Sequence, residues 1–346
     1  MPEATPRPCP DCDLDRRDFL HVAALTAAGT LWGVPRAVAA PTPSSASETA
    51  VKALYETLTD IQKKTICFDW DHKDKERGLL RTHVSNFWAI TKPFVSTNFY
   101  TKDQQALIYD IWKGLFNPDW HEKFLKQLKD DHGGKPWGAG LSAALFGKPG
   151  SGKFEFVLTG RHMTVRADGD SESHVALGGP IFHGHAATGF NEKVGHPGNI
   201  FWHQAQIANK AYTILDGKQQ QKALVARRPA ETAVGFRGPD GSFPGLPCSV
   251  LSKDQKEAVE KVLLSLIEPY RKEDQDEVRD CLKKQGGLDK CNLAFYKEGD
   301  IGDDGEWDNW RLEGPAFVWY FRGQPHVHIW INVADDPKVE LNSKEF

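Results

Sequence analysis

Sulfur is scarce in this chain. Its 346 residues include six cysteines and two methionines. No two Cys-x-x-Cys motifs stand at zinc-finger spacing, which excludes a structural four-cysteine zinc site. Beyond Met1 only Met163 is left, so a blue-copper centre, which wants Cys and often Met beside two His, has little to draw on. An excess of charge of one sign is missing too. Lys and Arg number 43, Asp and Glu 47, and the net charge is −4. Without a Lys/Arg-rich stripe, a nucleic-acid partner is not expected. No apolar run reaches the ~20 residues of a spanning helix. Gly-x-Ser-x-Gly is absent, so there is no nucleophile elbow. Gly147 to Lys153 has the glycines and lysine of a phosphate loop, but Phe154 stands where the magnesium-binding hydroxyl belongs. The acidic stretch Asp300 to Gly305 fails the ligand count of a calcium loop at Gly302 and Arg311. No internal repeat is visible in the sequence.

The N-terminus carries a targeting pattern. Arg16-Arg17 precedes a short apolar stretch, His21 to Trp32, and then the small residues Ala37, Ala39 and Ala40. This predicts a twin-arginine signal over residues 1–40, recognised by the twin-arginine export machinery and removed, leaving a periplasmic or otherwise exported protein with no stable membrane span. Residues 41–47 are expected to be a disordered lead-in, and residues 48–346 a single domain. Cys9 and Cys12 would be lost with the signal. In an oxidising compartment Cys281 and Cys291, which flank Gly286-Gly287, are candidates for a disulfide, although spacing does not fix connectivity.

Periodicity assigns an α+β fold, a helical N-terminal half packed around an antiparallel sheet with a C-terminal β-hairpin. Val51, Leu54, Leu58 and Ile61 form a helical stripe, as do Leu107, Ile108, Ile111 and Leu115. Strands are expected over 154–159 and 162–166, then at 315–321 and 326–333 around a turn at Arg322-Gly323-Gln324-Pro325. Asn199 to Gln221 and Ser252 to Arg271 read as helices, and Asp274 to Lys284 as a charged, mostly solvated one.

Histidine is where the chemistry gathers. His326-Val327-His328 and His183-Gly184-His185 each put two imidazoles on one face if they lie on a strand. His162 offers a third from another strand, and a catalytic metal uses about three protein ligands plus an open position. The candidate ligands are therefore His162, His183, His185, His326 and His328. They would hold a divalent transition metal, with zinc, iron or manganese favoured over a blue-copper site. Arg161 could grip an anionic group of a small-molecule substrate. Glu313 is a candidate base, with pairing to Arg311 as the plainer alternative.

Three stretches resemble an uncharacterised family of exported proteins, domain of unknown function 3500: Gly160-Arg161-His162 after an apolar strand, Gly314-Pro315 leading to His326-Val327-His328, and the Gln-rich helix end Asp216 to Ala223. The resemblance covers about Glu48 to Pro337. The family's first motif reads Gly-His-His, and Arg161 replaces its first histidine here. The resemblance implies export and a shared fold and supplies no activity. From the residues, the leading expectation is a metal-dependent hydrolase or oxygenase that activates water or dioxygen. The alternatives are a non-catalytic binding protein with Trp310, Trp319 and Trp330 lining a cleft, or a metal-carrying protein with a closed site.

Overall fold

The computed structural model describes residues 40–185, 196, 200–302, 304–339 and the backbone of 342–343. The twin-arginine segment lies outside the described residues. No helix among the described residues is long and apolar enough to cross a membrane. Residues 41–47 are not a loose lead-in. They form a turn and then enter the first helix, where Ser47 is buried and its hydroxyl donates to the Ile111 carbonyl at 3.0 Å.

Eight α-helices are described: α1 (Ala46–Thr57), α2 (Asp60–Ile66), α3 (Lys102–Gly114), α4 (His121–Asp131), α5 (Trp202–Thr213), α6 (Gly217–Ala223), α7 (Lys253–Ile267) and α8 (Lys272–Lys284). The strands are β1 (Cys67–Phe68), β2 (Lys73–Asp74), β3 (Gly78–Leu79), β4 (His83–Val84), β5 (Ser142–Gly147), β6 (Phe154–Gly160), β7 (Met163–Ala167), β8 (Ile181–His185), β9 (Leu224–Val225), β10 (Leu246–Pro247), β11 (Asn292–Tyr296), β12 (Asn309–Gly314), β13 (Phe317–Arg322), β14 (Val327–Val333) and β15 (Asn342–Ser343). One eleven-stranded sheet runs β1-β5-β6-β7-β8-β14-β13-β12-β11-β10, with β9 also paired to β11. All its pairs are antiparallel except β1 with β5 and β9 with β11. The fold is thus the expected α+β arrangement, and β13–β14 is the expected C-terminal hairpin.

The sheet is two four-stranded meanders, β5–β8 and β11–β14, joined through their last strands. Each follows the same series of elements: a 12-residue helix, a seven-residue helix opened by a capping box, and a two-residue strand parallel to the first meander strand. Two further helices come next, the first opened by a second capping box, Thr101-x-x-Gln104 or Ser252-x-x-Gln255. The cap glutamines of each half clasp each other. Gln62 and Gln104 exchange amide hydrogen bonds at 2.7 and 3.1 Å, and Gln219 and Gln255 do so at 3.1 and 2.7 Å. The chain therefore contains a structural repeat that its sequence does not display.

Burial sorts the sheet by parity. Residues such as Leu158, Met163, Ile181, Trp319, Ile329 and Ile331 face the helices in the main core. Phe182, Tyr320 and Trp330 face the other way, against Val84 and Val234 from the long connecting segments. Trp310 and Trp319 belong to the helix side and Trp330 to the opposite side, and all three are fully buried. They line no common cleft. Cys67, Cys248, Cys281 and Cys291 are free thiols, so the candidate Cys281–Cys291 disulfide is not formed. Although α8 is rich in charge, Asp274, Glu277, Val278, Cys281 and Leu282 on it are buried.

Candidate metal centre

Strand pairing decides which histidines can meet. His328 stands opposite Gly184 in the β8–β14 pair. Paired residues share a face and their neighbours point the other way, so His183 and His185 lie on the helix side of the sheet and His328 on the opposite side. The two His-x-His pairs do not join. His183 is enclosed by Phe124, Phe201 and Tyr270, with the Tyr270 hydroxyl 2.8 Å from its Nδ1. Burial lowers its pKa to about 3. His185 Nε2 lies 3.2 Å from Asp130 Oδ2.

What His328 meets instead is His162. Met163 pairs with His183 and the register runs one step on, bringing His162 level with Gly184. The row His162, Gly184, His328 thus crosses three strands on one face. The middle residue has no side chain, so the flanking rings reach each other over it. A Cβ at position 184 would lie 2.3 Å from the Val327 carbonyl oxygen and 3.2 Å from the His328 ring. His162 itself sits in the two-residue turn Arg161-His162 that closes the β6–β7 hairpin, between the paired residues Gly160 and Met163. Its φ is +56°, a left-handed conformation that non-glycine residues adopt at a cost of about 1 kcal/mol or more. His326 comes from the other hairpin turn, just ahead of β14.

The three Nε2 atoms converge. His162 Nε2 lies 3.0 Å from His328 Nε2, which lies 2.8 Å from His326 Nε2. His162, His326 and His328 form a group that could hold a metal ion. Their other edges are held by carboxylates. His162 Nδ1 donates to Asp131 Oδ2 at 2.9 Å, and His328 Nδ1 donates to Glu231 Oε1. Glu231 is fixed in turn by the Trp330 indole at 3.0 Å and by Arg322 at 3.3 Å. This is the outer layer that metal-binding imidazoles ordinarily have. With the proton on Nδ1, the Nε2 lone pairs of His162 and His328 face each other. Burial keeps all three rings neutral: His162 is lowered against the pull of Asp131, His326 falls to about 4, and His328 lies well below the usual imidazole value. Arg161 and Arg322 push all three in the same direction.

Neither Asp131 nor Glu231 stands out in the sequence. Each lies far along the chain from its histidine, and only the tertiary fold brings them in. Glu313 is elsewhere, paired with Arg237 at 2.8 Å and Arg311 at 3.3 Å. It stands opposite Val318, which stands opposite Asn332, two strands across and four residues along from His328.

The second half differs at the corresponding turn. There the turn equivalent to Arg161-His162 is Pro315-Ala316, between paired Gly314 and Phe317. Ala316 packs with Val175 and Ala334 in a small apolar cluster. The centre draws on both halves, His162 from the first meander and His326 and His328 from the second, and the second half's own equivalent of the His162 turn carries no histidine.

The fold is an α+β arrangement with a mostly antiparallel sheet and a three-histidine group that could hold a metal ion. The chain belongs to the family described as Protein of unknown function (DUF3500), which matches residues 41–335. No curated protein and no solved structure matches it.

Proposed function

We propose that His162, His326 and His328 hold one divalent transition metal ion, zinc, iron or manganese rather than a blue-copper type, and that the chain is an exported metal-dependent enzyme. The observation that carries this reading is the convergence of the Nε2 atoms while Asp131 and Glu231 pin the tautomers. Two bare imidazole nitrogens 3.0 Å apart repel unless a cation lies between them. All-nitrogen, neutral imidazole donors suit zinc and iron, and suit manganese less well because it prefers oxygen ligands. A zinc ion with bonds of about 2.0–2.1 Å would spread the nitrogens to about 3.3 Å, a small ring movement.

Three protein ligands leave a position for a small substrate or water, and a metal there supplies Lewis acidity to activate water or dioxygen. Asp131 and Glu231 orient the rings and raise their donor strength. Arg161, next to His162, supplies positive charge for an anionic group of the substrate. Glu313 is held in its own ion pairs and is not assigned a part. Export by the twin-arginine route, from Arg16-Arg17, would place the enzyme in the periplasm or beyond.

Elemental analysis of the mature protein, beside a His326→Ala/His328→Ala variant that retains its circular dichroism, tests the site. About one metal per chain in the parent and none in the variant is the expected result. Equal metal in both, or none in either after loading with zinc, iron and manganese, would end the metal reading. A metal that is present but offers no exchangeable coordinated water would favour a carrier over an enzyme.

A further inference from the structure

The substrate side of the centre has its own construction. Of the two guanidiniums near the histidines, Arg322 is occupied: it contacts Glu231 at 3.3 Å and donates to the His326 carbonyl at 3.2 Å. Arg161 is exposed and makes no ion pair among the described residues. Beside it stands Phe87, bridged to Arg161 backbone to backbone and left 69% exposed. This strip is fixed to the metal turn, because the His162 amide donates to the Asn86 carbonyl at 3.1 Å. An unpaired guanidinium and an exposed phenyl ring, held side by side at one ligand's turn, match an anion on an apolar body.

We propose that the site takes an organic anion, a carboxylate or phosphate ester carrying a ring or hydrocarbon chain, with Arg161 holding the anionic group and Phe87 covering the apolar part. This assignment rests on the metal reading for what happens to the bound molecule, and not for the binding itself. A guanidinium offers paired donors to a planar oxyanion. A phenyl face adds apolar contact that acetate or inorganic phosphate cannot use. Water-soluble alcohols of the same shape lack the charge and are rejected.

Isothermal titration of the zinc-loaded mature protein with benzoate, phenyl phosphate, acetate and benzyl alcohol tests this. Benzoate or phenyl phosphate should bind about tenfold or more tighter than acetate, and benzyl alcohol should bind weakest. Arg161→Gln should weaken every anion by about tenfold or more, with Arg161→Lys falling between. Phe87→Ala should bring benzoate down to the level of acetate while leaving acetate unchanged. Acetate and benzoate binding alike, or anion affinity untouched by Arg161→Gln, would overturn the proposal. The same titration on metal-free protein keeps the two readings separate. Dependence on Arg161 and Phe87 without metal supports the anion site even if elemental analysis finds no metal.

Discussion

Gly184 is the residue on which the centre depends most, and it contributes no side chain. Its Cα lies between two ligand strands, where a methyl would press on the Val327 carbonyl and the His328 ring. Gly184→Ala should cost about 1–3 kcal/mol of stability through overpacking and should displace His328, so metal content falls along with the melting temperature. Gly152→Ala is the control: a Cβ there meets nothing within 4 Å, and urea unfolding should hardly change. The two carboxylates behind the rings make a different prediction. Asp131→Asn and Glu231→Gln keep size and burial but weaken the hold on the Nδ1 protons, and each should reduce metal affinity by about 10–100-fold with the fold intact. Competition with a chromophoric chelator reads this directly, and unchanged affinity in both would remove them from the centre. His326, His328 and His162 were legible as candidate ligands because of their spacing and setting, and the fold brings these three together. His183 and His185 looked equivalent because a His-x-His pattern reveals which residues share a face and not which face that is. The parity is set by the register of β8 against β14, a tertiary property.

Among the elements, the capping boxes are the clearest case of local sequence dictating structure. Thr101-x-x-Gln104 and Ser252-x-x-Gln255 start α3 and α7 by satisfying otherwise orphaned amides. Their glutamines then do a second task, because each Nε2 also donates to a carbonyl ending the preceding helix region, Thr57 at 3.0 Å and Ile214 at 3.1 Å. The geometry is the same but the burial is not: Gln104 is buried and Gln255 half-buried. Gln104→Ala should therefore cost about 2 kcal/mol or more, leaving buried groups unsatisfied, whereas Gln255→Ala should cost about 1 kcal/mol as water replaces its bonds. Equal losses in denaturant unfolding would mean that burial does not set the strength of the clasp. Helix starts and the C-terminal hairpin were readable from such local signals. The cysteine pairing was not, since it depends on where α8 ends relative to β11. The solvated reading of α8 holds for Glu273, Asp276 and Asp280, which stay partly exposed, but not for Asp274 and Glu277, which are buried where the helix meets the other half of the chain.

That contact belongs to the whole molecule. The repeat went unseen in the sequence because the halves share register and apolar parity rather than residue identity: Gly160-Arg161-His162-Met163 corresponds to Gly314-Pro315-Ala316-Phe317, with only the glycine retained. Where the halves meet, carboxylates accumulate. Glu48 of α1 takes both ends of Arg271 at 2.7 and 2.8 Å, and Asp274 takes its Nε at 3.1 Å. Glu277 of α8 accepts the Leu177 amide at 2.9 Å, and Asp168 accepts the amides of Asp170 and Glu172. Burial pushes Asp168 up to about 7, with Glu155 and Glu48 adding to it. Burial likewise raises Asp274 to about 6 despite Arg271, and Glu277 well above the usual carboxylate range. The folded protein therefore keeps protons that the unfolded chain releases near pH 4. Stability from these groups is fully present below about pH 4 and is lost as pH rises toward 7. Asp168→Asn removes the titration while keeping the side chain's shape. Relative to the parent, this variant should gain stability steadily from pH 4.5 to pH 7.5, on the order of 2 kcal/mol or more across the window. Urea unfolding at several pH values measures the difference, and a difference that stays flat with pH would show that Asp168 is ionised in the folded seam.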